Sequence, residues 1–101
     1  MKAATTQDLQ SLADKIGAAV GLPNIFAKRR TADIVAARTI FNFLAFYALN
    51  VRPTDIARFS GWSYSIVYYD IRKLRDNLPY DFRLRDSWEK CAGVVKELGM
   101  G

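Results

Sequence analysis

The sequence lacks several of the residues and motifs on which common enzyme chemistries depend. Its 101 residues include no histidine, which excludes serine–histidine and cysteine–histidine catalytic pairs and histidine-based metal sites within the chain. Neither a GxxxxGK[ST] nor a GxGxxG motif occurs among its six glycines, so the chain carries no nucleotide-binding loop. Its ten carboxylates are scattered. We therefore expect no enzyme, no catalytic or metal site, no cofactor and no small-molecule substrate.

Long apolar runs and pairs of cysteines are also missing. The longest apolar run, around residues 40–49, is interrupted by Asn42 and is shorter than the roughly 20 residues that a membrane-spanning helix needs. The N-terminus has no signal-peptide pattern, and the single cysteine, Cys91, has no partner for an internal disulfide. The sequence therefore predicts a cytoplasmic protein with no membrane partner.

The main pattern in the sequence is the helical spacing of its apolar residues. Half of the residues are hydrophobic and 13% are aromatic, which is typical of a folded chain, and the length suits a single core. Apolar residues recur at helical spacing, with no strand pattern and no internal repeat. We predict one all-α domain of five or so helices: an amphipathic helix over 5–20, a basic loop over 27–31, a central helix over 32–49, a helix-turn-helix over 54–78 and a C-terminal helix over 81–98.

The stretch 51–74 has the pattern of two short helices joined by a tight turn. Thr54 is the expected N-cap of the first helix, Gly61 suits a left-handed turn residue, and Ser63 or Ser65 is expected to cap the second helix. In a helix-turn-helix the second helix enters a groove of DNA. The same pattern also fits a helical hairpin that merely packs, so the motif alone leaves both interpretations open.

Positive charge is concentrated between residues 28 and 75. This part of the chain contains three acidic residues, Asp33, Asp55 and Asp70. It contains nine basic residues: Lys28, Arg29, Arg30, Arg38, Arg52, Arg58, Arg72, Lys73 and Arg75. Such a concentration is typical of a nucleic-acid-binding surface. An ordinary solvated basic surface is the alternative.

Four aromatic residues, Trp62, Tyr64, Tyr68 and Tyr69, lie in or next to the second helix of this pattern. Aromatic residues at helical spacing are most often core residues. Tyr68 and Tyr69 point in different directions, so we expect at most one of them to face DNA while the other packs. An aromatic surface of this kind is also typical of protein-binding hot spots.

Two stretches of the sequence resemble one known family. Residues 30–38 read Arg-Thr-Ala-Asp-Ile-Val-Ala-Ala-Arg, and residues 59–67 read Phe-Ser-Gly-Trp-Ser-Tyr-Ser-Ile-Val, followed by Arg-Lys-Leu at 72–74. Both are similar to the C-terminal DNA-binding domain (domain IV) of DnaA-type chromosomal replication initiators, which has a Trp-repressor-like helix-turn-helix. The resemblance extends over about residues 9–95.

The resemblance implies binding of double-stranded DNA through two simultaneous contacts. Arg30, aided by Lys28 and Arg29, would enter the minor groove, and Arg38 would contact a phosphate from its helix. The positions that meet base edges in the major groove are Ser63, Tyr64, Ser65 and Ile66, flanked by Trp62 and Tyr69. Further phosphate contacts are expected from Arg52, Thr54, Arg72 and Lys73.

The sequence differs from the family pattern at several positions, and these differences limit which of the family's properties we expect here. Trp62, Ser63 and Tyr64 stand where the family has a basic residue, an aspartate and a histidine, so we expect a different DNA target. These 101 residues include no ATPase module, so we expect a binding domain used alone, from a phage, a plasmid or a mobile element. Because a lone domain that makes few base contacts binds DNA weakly, we expect dimerisation or tandem binding sites on the DNA. The alternative is a protein-interaction module, such as a replication adaptor, an inhibitor or a virion component, that presents Trp62, Tyr64 and Tyr69 to a partner.

Overall fold

Six α-helices account for most of the residues that the computed structural model describes, 5–28 and 31–99. In chain order they are α1 (Thr6–Val20), α2 (Ala32–Tyr47), α3 (Pro53–Ser60), α4 (Tyr64–Asn77), α5 (Phe82–Lys90) and α6 (Ala92–Glu97). The described ranges contain no β-strand, which confirms the prediction of an all-α fold. None of these helices is both long and apolar enough to cross a membrane.

Helix α1 begins and ends at local sequence signals. The Thr5 hydroxyl accepts a hydrogen bond from the Asp8 amide at 3.2 Å, and the Asp8 carboxylate accepts one from the Thr5 amide at 2.8 Å. This reciprocal pair is a capping box. At the other end Gly21 adopts a φ of +77°, where its amide donates to the Gly17 carbonyl. The helix buries a single stripe that contains Leu12 and Ile16.

Helix α2 is the centre of the core, because it contacts α1, α3, α4 and α5. Ile40, Phe41 and Leu44 are completely buried within it. The helix begins at its N-cap Thr31, as the sequence indicates, and ends at Tyr47, two residues before the expected end. Asn50, with a φ of +57°, then redirects the chain towards α3.

Helix α3 begins earlier than predicted, because its N-cap lies two residues before Thr54. Arg52 occupies the N-cap position without a side-chain capping bond, and Pro53 is the first helical residue. The prediction that Thr54 caps this helix is therefore wrong. The reason is that proline, with its fixed φ and no amide hydrogen, is well suited to the first helical position.

A three-residue turn joins α3 to α4. Gly61 has a φ of +80°, and its amide donates to the Ala57 carbonyl at 2.9 Å. Ser63 is the N-cap of α4, where its hydroxyl accepts from the Ile66 amide at 3.3 Å. Helix α4 then packs against both α2 and α3.

The prediction of one C-terminal helix over 81–98 is wrong, because the helix is broken at Cys91. This residue has φ and ψ of −90° and 10°, and its amide donates to the carbonyls of both Ser87 and Trp88. The break changes the direction of the chain. As a result α5 contacts α1 and α2 while α6 contacts α1, and Leu84 and Val95 both reach the core.

Candidate nucleic-acid interface

Helix α4 has one buried side and one side that is open to solvent. Val67, Asp70, Ile71 and Leu74 are buried against the rest of the fold. On the opposite side the exposed fractions are 49% for Tyr64, 46% for Tyr68 and 62% for Tyr69. The Tyr64 and Tyr68 rings, one helical turn apart, lie with centroids 6.1 Å apart and planes 21° from parallel. The open side of α4 is therefore an aromatic surface.

The expectation that one of Tyr68 and Tyr69 packs inside is wrong, since both are exposed. Successive helical residues are about 100° apart. Val67 and Ile71 define the direction of the core, so Tyr69 points almost directly away from it and Tyr68 lies on the side of the helix between the two directions. Neither ring is needed to fill the space between α4 and α2.

Cations extend the aromatic surface towards the C-terminal end of α4. The Arg72 guanidinium carbon lies 5.9 Å from the centre of the Tyr68 ring. Arg72 and Lys73 form no ion pair with any described residue. Arg72, Lys73 and Asp76 line a groove on α4 together with Ser65, Tyr68, Tyr69 and Asn77. The Asp76 carboxylate accepts from Arg75 at 3.0 Å, and this hydrogen bond, with a smaller contribution from the charge of Arg72, lowers the pKa of Asp76. The groove therefore keeps a positive character.

The N-terminal end of α4 meets the beginning of the basic loop. The Lys28 ammonium nitrogen donates to the Gly61 carbonyl at 2.7 Å and lies 3.7 Å from the centroid of the Trp62 ring. The structure thus brings Lys28 to the turn between α3 and α4, although 33 positions separate the two in the sequence. Arg29 and Arg30 lie outside the described residues, so their part in a minor-groove contact stays a prediction.

Arg38 does not occupy the surface position that a phosphate contact requires. It is only 7% exposed, and its guanidinium donates to both carboxylate oxygens of Asp70, at 2.7 and 3.2 Å. Asn42 donates to the same carboxylate at 2.9 Å. We correct the expected role accordingly: Arg38 joins α2 to α4 inside the fold, and its charge is neutralised there.

The other expected contact residues differ in how accessible they are. Arg52 and Thr54 are exposed at the start of α3, where Asp55 accepts from Arg52 at 3.1 Å and lies 3.7 Å from Arg58. At the start of α4, Ser65 is exposed and Ile66 is half-buried. Ser63 is also exposed, and because its oxygen serves as the cap acceptor, its hydroxyl hydrogen is left for an outside acceptor.

The predictions from the sequence did not include the network that joins half-buried Trp62 to buried Arg38, Asn42 and Asp70. The Arg38 guanidinium carbon lies 4.5 Å from the Trp62 ring centroid. The indole nitrogen of Trp62 and the amide oxygen of Asn42 are buried and have no hydrogen-bond partner among the described residues. One signal for this network was present in the sequence, because Asp70 falls on the same helical stripe as Val67 and Leu74.

Residues 5–28 and 31–99 contain no group of three or more cysteine, aspartate or glutamate side chains placed to hold a metal ion.

Comparison with known proteins gives no match: no protein-family model matches the sequence, and no curated protein and no solved structure is significantly similar to the chain.

Proposed function

We propose that this protein binds double-stranded DNA without catalysing a reaction, and that α3, the 61–63 turn and α4 act as a helix-turn-helix. In this proposal α4 enters the major groove, as the second helix of such a motif does. The proposal includes two expectations from the sequence, namely the resemblance to the DNA-binding domain of DnaA-type initiators and a cytoplasmic location. A role in the replication or regulation of a phage, a plasmid or a mobile element follows from that resemblance.

The observation that carries the proposal is the uncovered side of α4. Its 14 residues span about 21 Å, and a single α-helix fits into the major groove of B-DNA. Tyr64 and Ser65 in its first turn are exposed, and so are Tyr68 and Tyr69 in the next. Serine and tyrosine hydroxyls can hydrogen-bond base edges, while the tyrosine rings offer apolar contact to thymine methyl groups.

The cations around this surface supply the affinity for phosphates. Arg72 and Lys73 flank the groove on α4, and Lys28 lies at the turn before it. Arg29 and Arg30 follow Lys28 directly in the sequence. These five cations predict about five phosphate contacts, and therefore a slope of log affinity against log salt of roughly −4 to −5.

The test is fluorescence anisotropy of a labelled random-sequence duplex, titrated over a range of salt concentrations. We expect a linear dependence with the slope given above. Arg72→Glu should weaken binding by about tenfold and flatten the slope, because a phosphate contact is replaced by repulsion. Lys96→Glu is the matched control, since Lys96 is exposed on α6, on another element of the fold. Equal losses in the two variants, or no salt-dependent binding by the wild type, would contradict the proposal.

The alternative, a protein-interaction module, is favoured by the number of exposed aromatic side chains. Beyond α4, Tyr80 and Phe82 are 80% and 85% exposed. Tyrosine and arginine dominate binding hot spots in protein interfaces. Under this alternative the wild type gives no salt-dependent anisotropy change with duplex DNA, and Tyr69→Ala impairs the biological activity more than Arg72→Glu does.

A further inference from the structure

An indole ring connects the basic loop to the rest of the candidate interface. Lys28, at the start of that loop, lies 3.7 Å from the centroid of the Trp62 ring and donates to the Gly61 carbonyl at 2.7 Å. An ammonium group over a tryptophan ring is attracted by the negative ring face, most strongly where water is partly excluded. Lys28 is thus held by two contacts with the turn, although its own side chain is exposed.

Trp62 is in turn held from inside the fold. Its ring centroid lies 4.5 Å from the guanidinium carbon of Arg38, and Arg38 is bound to the fully buried Asp70 of α4. The indole nitrogen is buried with no partner among the described residues, although a buried tryptophan N–H usually finds one. The contacts of the ring face with Lys28 and Arg38, together with the hydrogen bond from the Trp62 amide to the Ser60 hydroxyl at 3.3 Å, hold the residue in position.

Charge explains why an aromatic residue suits position 62. Lys28 and Arg38 both approach this position; Asp70 already neutralises the charge of Arg38, but a further cation at position 62 would be repelled by Lys28. A tryptophan ring attracts the two cations without adding charge, so it can join the basic loop to α2 and α4.

We infer that Trp62 is a positioning residue: it fixes Lys28 of the basic loop in a set place beside the N-terminal end of α4 before DNA binds. This inference rests on the proposed function, since the loop and α4 are the two parts proposed to contact DNA. If the loop and α4 already have a fixed arrangement, less conformational entropy is lost when DNA binds, and this favours binding. Lys28 uses one of its three donors on Gly61, so the others remain for a phosphate.

The first experiment is limited trypsin digestion without DNA, because trypsin cleaves after lysine and arginine. In Trp62→Leu the initial rate of cleavage after residues 28–30 should rise severalfold, while cleavage after Lys96 should stay the same. Lys28→Met removes both contacts with the turn and leaves Trp62 and the core in place. It should raise the rate of cleavage after Arg29 and Arg30 to a similar extent, which keeps the test decisive if Trp62→Leu folds poorly.

The second experiment measures the affinity of the same variants for duplex DNA against salt. Trp62→Leu should weaken binding by about tenfold with an unchanged salt slope, because no cation is removed. Trp62→Phe keeps a ring and should recover part of the loss. A slope that falls by about one in Trp62→Leu would show that Lys28 loses its phosphate contact when the ring is removed, whereas an affinity equal to that of the wild type would overturn the positioning role.

The two experiments separate the failure of this inference from that of the proposed function. Unchanged cleavage after residues 28–30 in both Trp62→Leu and Lys28→Met would overturn the positioning role of Trp62, whatever the DNA affinity. Faster cleavage in a protein that binds no DNA would support the positioning of the loop by Trp62 and contradict the proposed function.

Discussion

Replacing Asp70 with asparagine tests whether the buried ion pair holds α2 and α4 together. The side chain keeps its shape but loses its charge, so Arg38 is left buried with no opposite charge. Removing one partner of a buried pair typically costs about 3–5 kcal/mol. Because the amide oxygen of the asparagine could still accept one hydrogen bond from Arg38, we expect the lower end, about 3 kcal/mol. Domains of this size are stable by about 5–15 kcal/mol, so the loss is a large fraction of the total.

Urea denaturation followed by far-UV circular dichroism measures this loss of unfolding free energy. The chain offers a matched control in the pair of Lys15 and Glu97, which is equally short at 2.6 Å but whose side chains are 46% and 59% exposed. Glu97→Gln should cost less than about 1 kcal/mol, because exposed pairs are solvated and contribute little. The two pairs are similar in length but differ in burial and in the number of hydrogen bonds, so the comparison measures what the buried network contributes.

A double variant completes the test. Arg38→Met with Asp70→Leu removes both charges and replaces them with apolar side chains of suitable size. We expect it to be more stable than Asp70→Asn, because no buried charge is left without a partner. A loss for Asp70→Asn no larger than that for Glu97→Gln would refute the reasoning, as would a double variant less stable than the single one.

Three further predictions concern the free energy of unfolding and thiol reactivity. Gly17→Ala should lower the free energy of unfolding by about 1–3 kcal/mol, because the new Cβ would lie 2.8 Å from the Leu22 carbonyl oxygen. In Gly93→Ala the new Cβ meets nothing within 4 Å, so this control should not destabilise the protein. Urea denaturation compares the two variants. Ser63→Ala should cost about 1 kcal/mol in the same assay by removing the cap of α4, with Ser65→Ala as the control. Burial raises the pKa of the Cys91 thiol from 9.0 to about 11. Alkylation of the native protein by iodoacetamide should therefore be slow at pH 8, and the stability contribution of the protonated thiol should decline as the pH rises from 9.0 towards about 11. Rapid alkylation of the folded protein at pH 8 would contradict the burial of Cys91.

The sequence alone determined those features that depend on neighbouring residues. Thr5 with Asp8, Thr31 and Ser63 cap their helices through local hydrogen bonds, because a capping side chain bonds an amide two or three residues away. Gly61 ends α3 because it enters the left-handed region without strain. The apolar stripes likewise indicated an all-helical fold, since helical spacing is visible within a dozen residues.

Only the tertiary structure decided features that join distant parts of the chain. Arg38 looks like a surface cation in the sequence, but Asp70, 32 positions later, holds it inside the fold. The contact of Lys28 with the turn and the break at Cys91 depend in the same way on which helices meet. Local sequence fixes where a helix begins and which side is apolar. Whether a polar side chain is buried depends on whether packing supplies a partner, because burial without one is costly.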